Sequence, residues 1–331
     1  MKHPSEHSVI FKGLGAYLPK NKLTNNELAQ MVNTSDEWIR TRTGIVTRHI
    51  AQTEEKTSDM CTEAARLALK NAGLQPSDID LIIVATVTSD KIFPSTATIV
   101  QKNLGLGPVP AFDLEAACSG FLYAIDVALS MMVRSATYKN VLVIGGEKLS
   151  TIVDWTDRST CVLFGDAAGA AVLSKVNEAR VGIIESVLGA DGSNAELLHV
   201  PTGGIAMPTS NDVNKPFIKM NGKEVFKHAV RVMEKVARDV LSQTGIDIKD
   251  IDCVIPHQAN QRIIESLVEH LKLSPEKVFI NLSKVGNTSA ASIPLALFDA
   301  IQEGRIKRGN WVLLVAFGAG LTWASTLIKW H

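Results

Sequence analysis

The chain has 331 residues, 46% hydrophobic and 21% charged, with 34 Lys and Arg against 34 Asp and Glu. Such a composition excludes a disordered chain, and the length allows one large core or two ordinary ones. A neutral total excludes a general nucleic-acid binder, although it leaves room for a local basic patch. Met1 to His7 has neither an apolar core nor a cleavage-site pattern, so no secretory signal is expected. The longest apolar runs, interrupted as by Asp126, are read as too short for a membrane span of ~20 residues. Cys61, Cys118, Cys161 and Cys253 form no CxxC pair and no metal-ligand spacing. Reduced thiols in the cytoplasm, and no metal, are therefore expected.

In chain order, Val9 to Leu18 alternates and stops at Pro19, which predicts a first strand. Asn25 and Asn26 are the cap candidates for a helix over Glu27 to Val32, and Ser35 and Asp36 for a second helix through Trp38. Trp38 stands among Arg40, Arg42 and Arg48, either a surface helix with one buried ring or a platform for an adenine and phosphates. Ser58 to Ala72 spaces Cys61, Ala64, Ala65, Ala68 and Leu69 on one helical face and ends at Gly73, so Cys61 reads as core. Leu81 to Val87 is a β-branched run fit for a buried strand, and Val109 to Leu114 a shorter one. The shorter strand feeds Glu115, Ala116, Ala117, Cys118, Ser119 and Gly120, after which Phe121 to Val133 has helical length and spacing. Strands follow over Val141 to Gly145 and Gly169 to Leu173.

That order recurs. Ala65-Arg66, Gly73 and Asp78-Ile79-Asp80 reappear 172 positions later as Ala237-Arg238, Gly245 and Asp250-Ile251-Asp252. Val141 to Ile144 reappears 171 positions later as Val312 to Val315, and helix 119–133 corresponds to one from about Ser289 to Gln302. The spacing predicts two homologous α/β halves, residues 1–176 and 177–331, each a mixed five-stranded sheet layered with helices. In halves related by a pseudo-twofold, matching strand ends converge on one crevice. Three loops meet there: Cys118, His257 after the strand Cys253 to Ile255, and Asn287 in Gly286-Asn287-Thr288-Ser289.

Alone, each residue has an ordinary structural explanation: a buried thiol, a capping histidine and a turn. Together they supply a nucleophile and two donors for a reacting carbonyl oxygen. A cysteine at a helix N-terminus is further expected to favour its thiolate.

Ala116-Ala117-Cys118-Ser119-Gly120, His257-Gln258-Ala259-Asn260, Gly286 to Ser292 and Phe317-Gly318-Ala319-Gly320 closely resemble the β-ketoacyl-acyl-carrier-protein synthase III family. The resemblance runs almost end to end and includes Thr34 to Ile39 and Phe164-Gly165-Asp166. It implies the thiolase fold, with an αβαβα layering, and a two-step condensation that opens fatty-acid synthesis. Cys118 would take the acyl group from a short acyl-coenzyme A. His257 and Asn287 would then hold the thioester oxygen of malonyl-acyl-carrier protein as carbon dioxide leaves. The resemblance also implies backbone N–H donors from Cys118 and Ala319, and coenzyme A contacts at Trp38, Arg42 and Arg158. Phe93 and Phe317 are the implied acyl-pocket rings, Phe93 reaching across a homodimer. No cofactor is implied, because the coenzyme A thioester is substrate.

Carrier-protein docking is implied at Lys227 and Arg262. Lys223, Lys227, Arg231 and Lys235 recur every four residues, which on a helix forms one basic stripe suited to an acidic carrier protein. Ser119, Ala319 and Lys223 depart from the commoner family residues, and Thr202 to Pro216 reads as a long surface loop.

Other readings fit less well. A thiolase needs a second cysteine in the 317–320 loop, elongation enzymes carry a second histidine where Asn287 stands, and hydroxymethylglutaryl-CoA synthase needs a catalytic glutamate. Plant-type polyketide synthases have longer chains. A non-catalytic acyl-binding paralogue would have lost part of the triad. A same-subfamily ketosynthase that loads starters for a polyketide or quinolone-type pathway is the remaining alternative. Starter length and branching are not readable from one ring.

Overall fold

The structure is a computed structural model and describes residues 8–204, 207 and 216–331. The first half runs β1 (Ser8–Tyr17), β2 (Asn21–Thr24), α1 (Asn25–Met31), α2 (Asp36–Thr43), β3 (Thr47–Ile50) and α3 (Thr57–Ala72). It continues β4 (Leu81–Ala85), α4 (Thr96–Leu104), β5 (Ala111–Leu114), α5 (Gly120–Arg134), β6 (Asn140–Glu147), α6 (Arg158–Cys161) and β7 (Ala167–Val176). The second half runs β8 (Gly182–Ala190), β9 (Leu198–His199), β10 (Lys219–Met220), α7 (Gly222–Thr244) and β11 (Cys253–Pro256). It closes with α8 (Gln261–Leu271), α9 (Leu282–Val285), α10 (Ser292–Gln302), β12 (Trp311–Gly318) and β13 (Thr322–Lys329).

The large sheets share one strand order, β1-β7-β6-β4-β5 in the first half and β8-β13-β12-β11 in the second. The pairs β4 with β6, β4 with β5 and β11 with β12 are parallel, whereas β6–β7, β7–β1, β12–β13 and β13–β8 are antiparallel. The second sheet has four strands, not the five expected. Where a partner for β11 is due, Pro275 opens a short turn and only the Val254–Val278 bridge forms.

Side-chain alternation on the central strands makes the layers. Leu81, Ile83, Val143, Ile255 and Leu314 face α5 and α10, which lie between the sheets. Ile82, Val84, Leu142 and Ile144 face α3 and α4 on one outside, while Val254, Leu313, Val315 and Phe317 face α7 and α8 on the other. At Gly145 the strand passes so close to the second half that an added Cβ would lie 2.2 Å from the Ala290 carbonyl oxygen.

Two local expectations are corrected. Thr24, not Asn25 or Asn26, caps α1, because its hydroxyl accepts the Glu27 N–H while Glu27 returns to the Thr24 N–H. The stretch Ala117–Arg134 is long and apolar enough by composition to cross a membrane. Here Phe121, Leu122, Ile125 and Met132 of that stretch are buried in the core between the sheets. The expected surface loop Thr202 to Pro216 falls mostly outside the described residues.

Candidate active site

A short helical turn, Ala117–Ser119, leads into α5 and carries Cys118, with Ala117 held at φ 45°. The corresponding turn, Ser289–Ala291, leads into α10 with Ser289 at φ 48°. Non-glycine residues seldom adopt this left-handed conformation, and its repetition 172 positions apart shows both halves bending their chains alike at the junction. Gly318, at the end of β12, packs against this turn, where a Cβ would lie 2.7 Å from the Cys118 nitrogen.

Cys118 is shared by two cavities. The first, of about 210 Å³, runs from Trp38 and Arg42 at its mouth, between α7 and α8, to Cys118, His257, Asn287 and Phe317. The second, of about 480 Å³, holds Ala319 with Cys118 and is walled by Val87, Leu149, Ile152 and Leu198. Phe164 borders both.

His257 is buried, and its main-chain N–H donates to the Val315 carbonyl at 2.8 Å. Its Nδ1 is buried without a partner, so Nε2 is the nitrogen left to meet a ligand. Burial pulls the imidazole down to about 4, so the ring is neutral at physiological pH. A neutral ring protonated on Nε2 is a hydrogen-bond donor toward the channel. Asn287 is fixed through its main chain: its N–H donates to Leu163 at 2.9 Å and its carbonyl accepts from Gly165 at 3.0 Å. Its Oδ1 accepts the Ser289 N–H at 3.0 Å, which leaves the amide NH₂ to donate into the channel.

The expected resting thiolate is corrected. Burial pushes the Cys118 thiol up to about 12, which the neighbouring Ser289 hydroxyl partly offsets and the Glu147 charge increases. Cys118 is half-buried between the two cavities, and burial of its sulfur works against the anion that the helix terminus favours. The thiol therefore has to lose its proton during reaction.

Glu147 and Ser289 were not singled out in the sequence. Glu147 is fully buried at the end of β6, accepting hydrogen bonds from Thr88 Oγ1 at 2.6 Å, the Val87 N–H at 3.2 Å and Ser289 Oγ at 3.2 Å. Burial raises its carboxyl to about 7. The legible signal was a lone acid closing the apolar run Val141 to Gly146.

At the mouth, the Arg158 guanidinium lies 4.6 Å from the centre of the Trp38 ring, and Arg42 is exposed on the same rim. Arg40 and Arg48 do not join them. Arg40 pairs with Asp36 at 2.8 Å, and buried Arg48 donates to Leu23, Asn25 and Val162 as an internal strut. Lys223, Lys227, Arg231 and Lys235 are exposed along α7, and Arg262 on α8 lies 5.8 Å from the Phe226 ring. Lys227 pairs with Glu224 at 2.7 Å and Lys235 with Asp239, so the stripe is less positive than its spacing implied. The two rings expected at the acyl pocket lie apart within one chain. Phe317 lines the narrower channel, while Phe93 lines neither cavity and is 82% exposed. Ser119 is buried with its hydroxyl unpartnered.

Residues 112–192 match the family described as 3-oxoacyl-[acyl-carrier-protein (ACP)] synthase III, and residues 241–330 match its C-terminal counterpart. The chain is 55% identical over 96% of its length to β-ketoacyl-[acyl-carrier-protein] synthase III of Caldanaerobacter subterraneus, covering 96% of that protein. The crystal structure of 3-oxoacyl-[acyl-carrier-protein] synthase III from Aquifex aeolicus is 52% identical with a TM-score of 0.91, covering 98% of this chain and 100% of that one. The priming β-ketosynthase of the R1128 polyketide pathway superposes with a TM-score of 0.90 at 35% identity, covering 100% of this chain and 98% of that one.

Proposed function

The chain belongs to the 3-oxoacyl-[acyl-carrier-protein] synthase III family, and from that premise we propose how its own residues divide the work. It is a condensing acyltransferase that joins a short-chain acyl-CoA starter to malonyl-acyl-carrier protein. The products are 3-oxoacyl-carrier protein, coenzyme A and carbon dioxide, and the step initiates fatty-acid synthesis. A polyketide-priming role is not favoured, since identity falls from 55% with the fatty-acid relative to 35% with the priming enzyme.

In this reading Cys118 attacks the acyl-CoA thioester, and the Cys118 and Ala319 N–H groups hold the oxyanion. The observation that carries it is the position of Cys118 between two cavities. One cavity suits a pantetheine arm, the other the acyl group it delivers. Trp38 and Arg158, already stacked, meet the adenine end of coenzyme A with Arg42 beside them.

After coenzyme A leaves, the malonyl arm takes the same channel. Loss of carbon dioxide puts negative charge on the thioester oxygen, and Nε2–H of His257 with the Asn287 amide stabilises it. Preorganised donors in a water-poor channel act most strongly where charge develops. The resulting enolate carbon attacks the acyl-Cys118 carbonyl.

The reading further has Lys223, Lys227, Arg231 and Arg262 orienting the acidic carrier, and a cytoplasmic homodimer that needs neither membrane nor bound cofactor. Thiol, imidazole and amide supply the nucleophile and the two donors to the enolate oxygen. Labelled acyl-CoA tests the first step: Cys118→Ala is expected to take up no label, and a variant still labelled at wild-type level removes Cys118 as nucleophile.

A further inference from the structure

Acylation needs somewhere for the Cys118 proton to go, and the channel residues do not provide it. In the proposed division of labour Nε2–H of His257 is a donor to the malonyl thioester oxygen, and the Asn287 amide is no base. On its other side, Cys118 meets Ser289. Ser289 lines the second cavity together with Cys118, and its hydroxyl donates to Glu147 Oε1 at 3.2 Å. Ser289 has little freedom to turn away, because its backbone is held at φ 48° with its N–H on Asn287 Oδ1.

Glu147 is equally constrained. Its Oε2 accepts from Thr88 Oγ1 at 2.6 Å, the Val87 N–H at 3.2 Å and Thr86 Oγ1 at 3.3 Å. The Val87 N–H is shared with Oε1 at 3.3 Å, and Oε1 is the oxygen that accepts from Ser289. A charged carboxylate in a fully buried site carries a large solvation cost, and structural bridging alone would not require a charge there.

We infer that Glu147 is a positioning residue for acylation, drawing the Cys118 thiol proton through the Ser289 hydroxyl as the sulfur attacks the acyl thioester. This rests on the assignment of Cys118 as nucleophile. The thiol proton passes to Ser289 Oγ while the Ser289 proton passes to Glu147 Oε1. The new S–C bond forms as the bond to coenzyme A breaks, and the coenzyme A sulfur leaves with that electron pair. The same chain in reverse returns the proton to it, so Glu147 ends the half-reaction ionised as it began.

Other titratable groups near the carboxylate are themselves committed. The buried Cys61 thiol on α3, beside Gly146, is held well above its usual range by burial, and stays neutral. Asp90 accepts from the Ser58 N–H and hydroxyl, and Asp113 from the Thr96 and Ala97 N–H groups. The Lys148 ammonium donates to the carbonyls of Gln52, Thr53 and Glu55. His257, across Cys118, is neutral.

The test is rapid-quench mass spectrometry of Cys118 acylation by acetyl-CoA from about pH 5.5 to about 9, with malonyl-carrier decarboxylation measured after complete acylation. Wild type is expected to acylate faster as a group near 7 ionises. Glu147→Gln and Ser289→Ala should each slow acylation ~100-fold and lose that inflection, with the double variant no slower than the slower single. Decarboxylation should change less than about threefold in all three variants. A folded Glu147→Gln or Ser289→Ala that keeps the inflection, or slows both half-reactions equally, overturns the inference. Should Glu147→Gln not fold, Ser289→Ala decides alone. A wild type that does not acylate Cys118 removes the nucleophile assignment instead.

Discussion

His257 and Glu147 flank the nucleophile with opposite responses to the same dry surroundings. Burial lowers His257 from 6.5 to about 4, so below 6.5 the unfolded chain binds a proton that the folded chain refuses. Its neutral burial thus costs stability progressively as pH falls from 6.5 toward 4, ~3 kcal/mol in full. Glu147, raised from 4.5 to about 7, works the other way: its contribution is whole below 4.5 and lost as pH rises through 7. For catalysis, a histidine neutral at every working pH predicts a decarboxylation rate, measured as carbon dioxide released by acylated enzyme, without a histidine inflection between about pH 5.5 and 8. His257→Ala is expected to keep acyl-Cys118 formation and to lose decarboxylation by ~100-fold, the usual effect of deleting one oxyanion donor. Normal decarboxylation in that variant would exclude His257 from the second step. Cys118, His257 and Asn287 were legible because each stands in a distinctive motif. Glu147 and Ser289 were not, since their significance is a contact spanning 142 positions. The Cys118 thiol was misjudged for a related reason: helix position is written in the sequence, whereas the depth of burial that overrides it is not.

At the scale of elements, α7 and α8 form one wall of the channel and carry the basic residues outside it. Their packing explains why the docking residues converge: Asn260 caps α8 and also donates to the Arg42 carbonyl at 3.2 Å, tying that wall to α2. Charge reversal at Lys227 and Arg262 together is expected to raise KM for the carrier substrate about tenfold while leaving KM for acyl-CoA within about twofold. Equal shifts for both substrates would remove these residues from docking. Apolar spacing and a terminal glycine made α3, ending at Gly73, readable to within a residue at its ends. The strands β8 and β13 were not. In β13, Ser325 and Thr326 are fully buried, Ser325 bonded to the Leu314 carbonyl and Thr326 to Ser186, so satisfied polar groups hide a core strand.

At the scale of the whole molecule, the duplication was the most informative sequence signal, because a conserved spacing survives where residue identities do not. It anticipated matching strand orders, and it failed only where the chain economised by replacing a fifth strand with one bridge. Beyond the single chain, Ile92 and Phe93 stand 92% and 82% exposed beside Pro94, an unusual position for two large apolar side chains. If they seat on a second copy, Phe93→Asp should shift the protein toward monomer in sedimentation velocity and change the rank order of acyl-CoA starters. An unchanged dimer with unchanged selectivity would remove Phe93 from the interface.

The channel that ends at Cys118 has one further consequence, and it concerns traffic. If both substrates enter by the rim of Trp38 and Arg42, as proposed, an acyl-enzyme awaiting its malonyl partner can instead admit a second acyl-CoA. Each substrate then queues in the other's path, and supply ratios set throughput. Initial rates at fixed malonyl-carrier protein should pass through a maximum and decline as acyl-CoA rises, with the decline relieved by more carrier substrate. A plain saturation curve at every ratio would mean that the two arms arrive by separate routes.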